Sequence, residues 1–195
     1  MKVMLFTDIH GNASALRAVL SYLDQQSDID AIYCLGDLVG IGPEHNEVID
    51  LLRQRSDIQT ISGNHDECVL ALIRGDNYPA SYRHAKEHHQ WIADTLTQEN
   101  QKYLEHLPRI LNVTHQKQTM YLTHYAYADQ TKKIGEEPLK QAVNGTKKTY
   151  PSCLLEMRRE SLVLVTIIQR NKLRQSKHSL LIQVHLDVKK QPSPQ

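Results

Sequence analysis

Cysteine is scarce in this chain of 195 residues: three, at positions 34, 68 and 153. An odd, unpatterned set builds no disulfide framework and suits reduced thiols in a cytosol. None stands at metal-ligand spacing, which excludes a thiolate zinc site. No apolar run approaches the length of a membrane span. The Met-Lys start leads into a short strand-like run that stops at Asp8, with no signal-peptide apolar region or cleavage site. A cytoplasmic chain without a membrane partner is therefore expected. Net charge is small as well, +1, so nothing points globally to nucleic acid. The length favours one domain able to bury a sizeable core.

The even charge hides an asymmetry. Residues 1–129 carry 10 Lys and Arg against 17 Asp and Glu, whereas residues 130–195 carry 13 against 5. A sign change of this size within one small chain asks for a separate reading of the tail.

Three apolar runs each end in residues that carry chemistry. "VMLFTDIHGN" ends in Asp8 and His10, "AIYCLGDLVGIGP" in Asp37, and "IQTISGNHDE" in Asn64 and His65. Lys2–Thr7, Ala31–Leu35 and Ile58–Ile61 read as strands. Between them, Ala13–Gln25 has apolar positions at three- and four-residue intervals behind an Asn12 cap, and Asn46–Arg55 is a second helix. This alternation predicts a parallel sheet covered by helices, an α/β fold, with functional groups in the loops beyond the carboxyl ends of the strands. Helices follow over about 66–73 and 80–96, and a third, capped by Thr97, runs to Glu105. Ile110–Val113 and Thr119–Leu122 read as an antiparallel pair whose second strand delivers His124. From 130 to 160 no period is visible.

In an extended stretch, Asp8 and His10 share a face and can grip one cation. Asp37 offers two oxygens and can bridge two cations. Asn64 adds a neutral oxygen and His124 a nitrogen. This mixed oxygen and nitrogen set suits Mn²⁺, Fe, Zn²⁺ or Ni²⁺, with Mn²⁺ favoured. Two such ions can share a hydroxide and clamp a phosphoryl group for in-line attack. His65 is not needed as a ligand and can face the leaving oxygen. Taken singly, Asp8 or Asp37 reads as a turn or cap residue, and His124 as ligand or as strand-end histidine. A cap does not call for His10 and Asn64-His65 as well. Asp66 and Glu67 read as first-turn acids that suit the helix dipole.

Other patterns carry less. "HAKEH" matches an inverted zinc-peptidase pattern through His84, Glu87 and His88, but the segment is very polar and reads as a solvated helix face. The "GxG" of "VGIGP" lacks the rest of a nucleotide fingerprint. The lysine pairs at 132–133, 147–148 and 189–190 read as solvated.

"DIH", then "GD", then "GNHD", then a strand ending in His, in this order, resembles the calcineurin-like metallophosphoesterase superfamily, in particular its small bacterial and archaeal phosphodiesterase branch. The likeness covers about residues 1–128. It implies a four-layer α/β/β/α sandwich. It implies two metal ions bridged by Asp37, with Asp8 and His10 on one, Asn64 and His124 on the other, and His65 in catalysis. The implied activity is phosphodiester or phosphomonoester hydrolysis. The implied partner is a small phosphoester, and nucleotides are among those the family takes. Phosphatases of the superfamily carry an acid three residues after the "GD" aspartate, which steadies the catalytic histidine. Here that place is Gly40.

The family's "GHxH" and "NPGS" turns do not occur. Read one base earlier, however, the codons of Leu164 to Gln169 permit Gly-His-His-His-Pro, and those of Leu181 to Val188 permit Asn-Pro-Gly-Ser-Leu-Gly followed by Arg or Cys. A net one-base deletion between about 129 and 160 accounts for both and for the charge reversal. The expectation is one domain over 1–195, family-like to 128 and out of frame beyond. Its second sheet would be incomplete, its solubility poor and its activity low. The alternative is a degenerate relative with little or no catalysis.

Overall fold

The computed structural model describes residues 2–115 and 118–139, together with the backbone of two strands at 162–165 and 180–185. Strands β1 (Lys2–Thr7), β2 (Ala31–Cys34) and β3 (Ile58–Thr60) alternate with helices α1 (Ala13–Asp24) and α2 (His45–Arg53). Helix α3 (Asn64–Arg74) follows β3, and α4 (Lys86–Thr95) and α5 (Gln98–His106) complete the helical layer. The hairpin β4 (Ile110–His115) and β5 (Gln118–Thr123) comes next, then β6 (Leu162–Val165) and β7 (Leu180–His185).

Two sheets result. The first has the order β3-β2-β1-β7 and the second β4-β5-β6. The β1/β2 and β2/β3 pairs are parallel, as the strand–helix alternation requires. Strand β7 lies antiparallel on the other side of β1. In the second sheet β4 and β5 are antiparallel, and β6 runs parallel to β5.

The first sheet buries both faces, so its strands are apolar at nearly every position rather than alternating. One face, with Met4, Phe6, Cys34 and Ile58, packs against Leu16, Leu20 and Leu23 of α1, Val48, Ile49 and Leu52 of α2, and residues of α3–α5. The opposite face, with Val3, Leu5, Tyr33, Leu35 and Ile61, packs against Met120 and Leu122 of β5. Met120 and Leu122 of β5 therefore cover this apolar face at these positions. The helix, sheet, sheet order of the predicted sandwich is in place. The reading-frame expectation falls largely outside the described residues, since beyond 139 only two strand backbones are described.

The boundaries shift in informative ways. Asn12 caps α1 by accepting from the Ala15 amide at 2.9 Å, and Thr97 caps α5 by accepting from Asn100. The helix expected over 80–96 is instead a 3₁₀ turn (Ala80–Ala85) followed by α4. His84 and His88 thus belong to different elements, and the one-face geometry that a peptidase pattern needs is lost.

Leu122 is fully buried between the two sheets. Leu122→Ala should lower unfolding free energy by about 3 kcal/mol in urea denaturation. A cost below ~1 kcal/mol would show that the second sheet does not pack on the first.

Candidate metal and catalytic site

The site forms where three loops leave the carboxyl ends of β1, β2 and β3 and meet the end of β5. Strand β1 ends at Thr7, and Asp8 (φ 58°) and His10 (φ 50°) both take left-handed backbone. Asp8 and His10 therefore do not lie on one face of an extended stretch, the arrangement expected from their spacing. A tight turn brings them together. Its amides are laced to the next loop: Asp8 N donates to Gly36 O (3.1 Å), His10 N to Asp37 O (2.9 Å) and Gly11 N to Leu38 O (2.7 Å). Asp37 is left-handed too, at φ 54°. Aspartate and histidine tolerate this region better than most residues, and such conformations cluster at functional sites.

Asp37 is the hub. Its Oδ1 accepts the His65 backbone amide at 2.9 Å. Its Oδ2 lies 3.7 Å from His10 Nε2 and 3.2 Å from His124 Nε2, and His10 Nε2 is 3.4 Å from Asp8 Oδ1. His10 Nδ1 contacts the Val39 carbonyl at 3.0 Å and His124 Nδ1 the Leu35 carbonyl at 2.7 Å. A carbonyl can only accept, so both histidines hold a proton on Nδ1 and turn Nε2 toward the carboxylates. Two ligands each about 2.1 Å from one ion stand roughly 3–4 Å apart, so these spacings fit a shared cation. Among the described residues, one group of three metal-capable side chains brings its donor atoms within 4.8 Å of one another, and it is Asp8, His10 and Asp37.

Without a cation, protons offset the charge. Burial raises the Asp37 carboxyl, but the His124 charge and hydrogen bond outweigh it and hold the group well below the usual carboxylate range. Burial lowers His124 and is outweighed by the Asp37 charge, so its pKa is raised. His10 is raised similarly, with the Asp8 hydrogen bond and the Asp37 charge overcoming burial.

Asn64 and His65 open α3. Asn64 is buried at its first position, directly after Gly63. Gly63 lies so close to Asp37 that an added Cβ would overlap its carboxylate and backbone nitrogen. The His65 ring stands edge-on to His10 with centroids 5.0 Å apart. The other five expected residues therefore lie around Asp37: His10, His124 and the His65 amide by direct contact, Asp8 through His10, and Asn64 by its place beside Gly63.

Two acids do more than the sequence indicated. Asp66 is fully buried. It accepts from the Leu38 (2.9 Å), Val39 (3.1 Å) and Gly63 (2.9 Å) amides, pinning the β2 loop to the β3 loop. Glu67 takes a two-pronged contact from Arg109 and a bond from Tyr127. Arg109 in turn donates to the Gln130 and Lys132 carbonyls, which anchors the segment after His124. Both acids sit at first-turn positions, and that plain helical reason masked their tertiary role.

With this geometry in view, comparison with known proteins is direct. A family model described as calcineurin-like phosphoesterase matches residues 1–155, and the chain belongs to that family. An uncharacterized Methanocaldococcus jannaschii protein is 34% identical over 109 residues, 56% of this chain and 43% of its own. A symmetrical bis(5'-nucleosyl)-tetraphosphatase of Paracidovorax citrulli is 35% identical over 81 residues, 41% of this chain and 29% of its own. A solved structure of a proposed diadenosine tetraphosphatase superposes with TM-score 0.51 at 25% identity, covering 66% of this chain and 52% of that one. A hypothetical protein of Pyrococcus horikoshii shares the fold at TM-score 0.59 and 19% identity, over 96% of this chain and 89% of that one. The chain spans less than half the length of these two curated relatives. No helix among the described residues is long and apolar enough to cross a membrane.

Two outcomes test the site. A cation must displace the second proton of His124, whose pKa is pushed up to about 9, so binding Mn²⁺ near pH 7 should release protons, and affinity should rise with pH. Calorimetry in two buffers of different ionisation enthalpy reads this directly, and buffer-independent heats would contradict it. Gly63→Ala should displace Asp37 and weaken Mn²⁺ binding at least tenfold.

Proposed function

We propose that this chain is a metal-dependent phosphoesterase acting on a small phosphodiester or phosphomonoester. The observation that carries the reading is the convergence of Asp8, His10 and His124 on the Asp37 carboxylate, with His65 held beside it. Asp8 and His10 would hold one divalent cation, Asn64 and His124 a second, and Asp37 would touch both. When bound, the pair supplies positive charge and an activated hydroxide for in-line attack at phosphorus.

The chain's own groups do the rest. Burial of Asp37 keeps bulk water off the carboxylate and strengthens its pull on cations. The carbonyls of Val39 and Leu35 fix the histidine rings with Nε2 aimed inward. His65, at the start of α3 with its ring edge-on to His10, would face the leaving oxygen. There it can donate a hydrogen bond or a proton as negative charge builds up. Helix α3 adds its positive end on the same side. The names of the nucleosyl-tetraphosphatase relatives favour a nucleotide among small phosphoesters.

The test is Mn²⁺-stimulated hydrolysis of an aryl phosphodiester. Asp37→Asn should reduce it by about 100-fold or more while the far-ultraviolet circular dichroism stays unchanged. Full activity in that variant would overturn the assignment. The missing "GHxH" turn favours a second reading, a degenerate family member that binds metal weakly and turns nothing over. Purified protein without bound or bindable Mn²⁺ would support it. Resequencing the gene from codon 120 to the stop would show whether a lost base explains the missing turn.

A further inference from the structure

The His65 ring is supported from a direction that the sequence pattern does not indicate. Its Nδ1 lies 2.9 Å from Nε2 of His89, on α4. His89 is fully buried, and its Nδ1 lies 2.8 Å from the hydroxyl of Tyr78. That hydroxyl lies 3.1 Å from the Tyr82 backbone carbonyl. The Tyr82 ring closes the other side of His65 edge-on, with centroids 5.5 Å apart. Four groups thus form one hydrogen-bonded row, from the catalytic centre into the body of the helical layer.

Counting protons gives the row a direction. The Tyr82 carbonyl can only accept. The single hydroxyl proton of Tyr78 therefore points to it. Tyr78 oxygen must then accept from His89, which puts the His89 proton on Nδ1 and leaves Nε2 as an acceptor. His65 must in turn donate from Nδ1, which leaves Nε2 on the side of the ring away from His89. Burial, with the His65 and His88 charges behind it, pushes His89 down to about 4, so it stays a neutral acceptor across the working range.

Gly40 explains why a histidine stands here. An added Cβ at Gly40 would come within 2.6 Å of His65 Nδ1 and 2.8 Å of its Cγ. The His65 ring occupies the space that a side chain at position 40 would need. An acid at Gly40 and this ring position exclude each other, and the support has moved to α4.

We infer that His89, held by Tyr78 and the Tyr82 carbonyl, is the positioning residue that fixes the tautomer and orientation of the catalytic histidine, in place of a carboxylate in the loop after β2. The role given to His65 rests on the phosphoesterase reading, whereas the proton order of the row does not. A neutral partner orients the ring without adding negative charge behind it. The Nδ1–H bond to His89 is kept in both protonation states, so it is as imidazolium, with a second proton on Nε2, that His65 can donate to the leaving oxygen.

The experiment is long-range ¹H–¹⁵N correlation NMR on the full metal-free chain labelled at histidine, at a pH where these rings are neutral. The expected result is His65 and His89 both protonated on Nδ1. Tyr78→Phe removes the oxygen that accepts from His89. Both rings should then switch to the Nε2–H form, a change carried across two residues that simple loss of packing would not produce. His65 protonated on Nε2 in the unaltered chain overturns the inference, and so does a His65 tautomer unmoved in Tyr78→Phe. In turnover, His89→Leu should lower kcat about tenfold with KM unchanged, and His89→Gln, which keeps an acceptor, should recover most of it. A fully active His89→Leu also overturns it. A chain with no phosphoesterase activity would remove the functional reading and leave the tautomer measurement to decide this one.

Discussion

A single buried carboxylate organises this molecule. Asp37 follows β2, accepts the His65 amide at the start of α3, and meets His10 from the loop after β1 and His124 from the end of β5. An anion this deep is tolerable only when paired and hydrogen-bonded on every side. The surrounding loops are shaped by that requirement: Gly63 makes room for the carboxylate, and Asp66 ties the backbone of Leu38 and Val39 to Gly63. The parallel sheet delivers the loop ends, and Asp37 decides how they close.

Much of this was legible in the sequence. The alternation of apolar runs and amphipathic helices gives the parallel β1–β3 core with its covering helices. The apolar character of Val3–Phe6 on both parities reflects a sheet buried on both faces. The gathering of Asp8, His10, Asp37, His65 and His124 follows from their common position at strand ends. The mechanism of that gathering was not legible. Asp8 and His10 meet through a left-handed turn laced to residues 36–38, because hydrogen bonds between loops replace the ladder once the strands stop.

The partners of His65 were hidden for a different reason. Tyr78 and His89 lie in a polar stretch where no period marks an inward face, and the 3₁₀ turn over Ala80–Ala85 shifts the phase of α4 relative to its predicted start. Phase decides which of His84, His88 and His89 points to the core, and a one-residue error sends the wrong histidine inward. Asp66 and Glu67 were masked by an adequate local explanation, helix-dipole compensation, which gave no reason to seek distant amides or Arg109.

The left-handed backbone at Asp8, His10 and Asp37 also bears on how such a site can change over generations. Few side chains accept that conformation without a steric cost, chiefly glycine, asparagine, aspartate and histidine. A descendant that no longer needs the chemistry is not free to place alanine or valine there, because the turns themselves would be penalised. Relatives that have lost catalysis should therefore drift toward asparagine or glycine at these positions. The fold would keep a record of its former site in residues retained for their backbone alone.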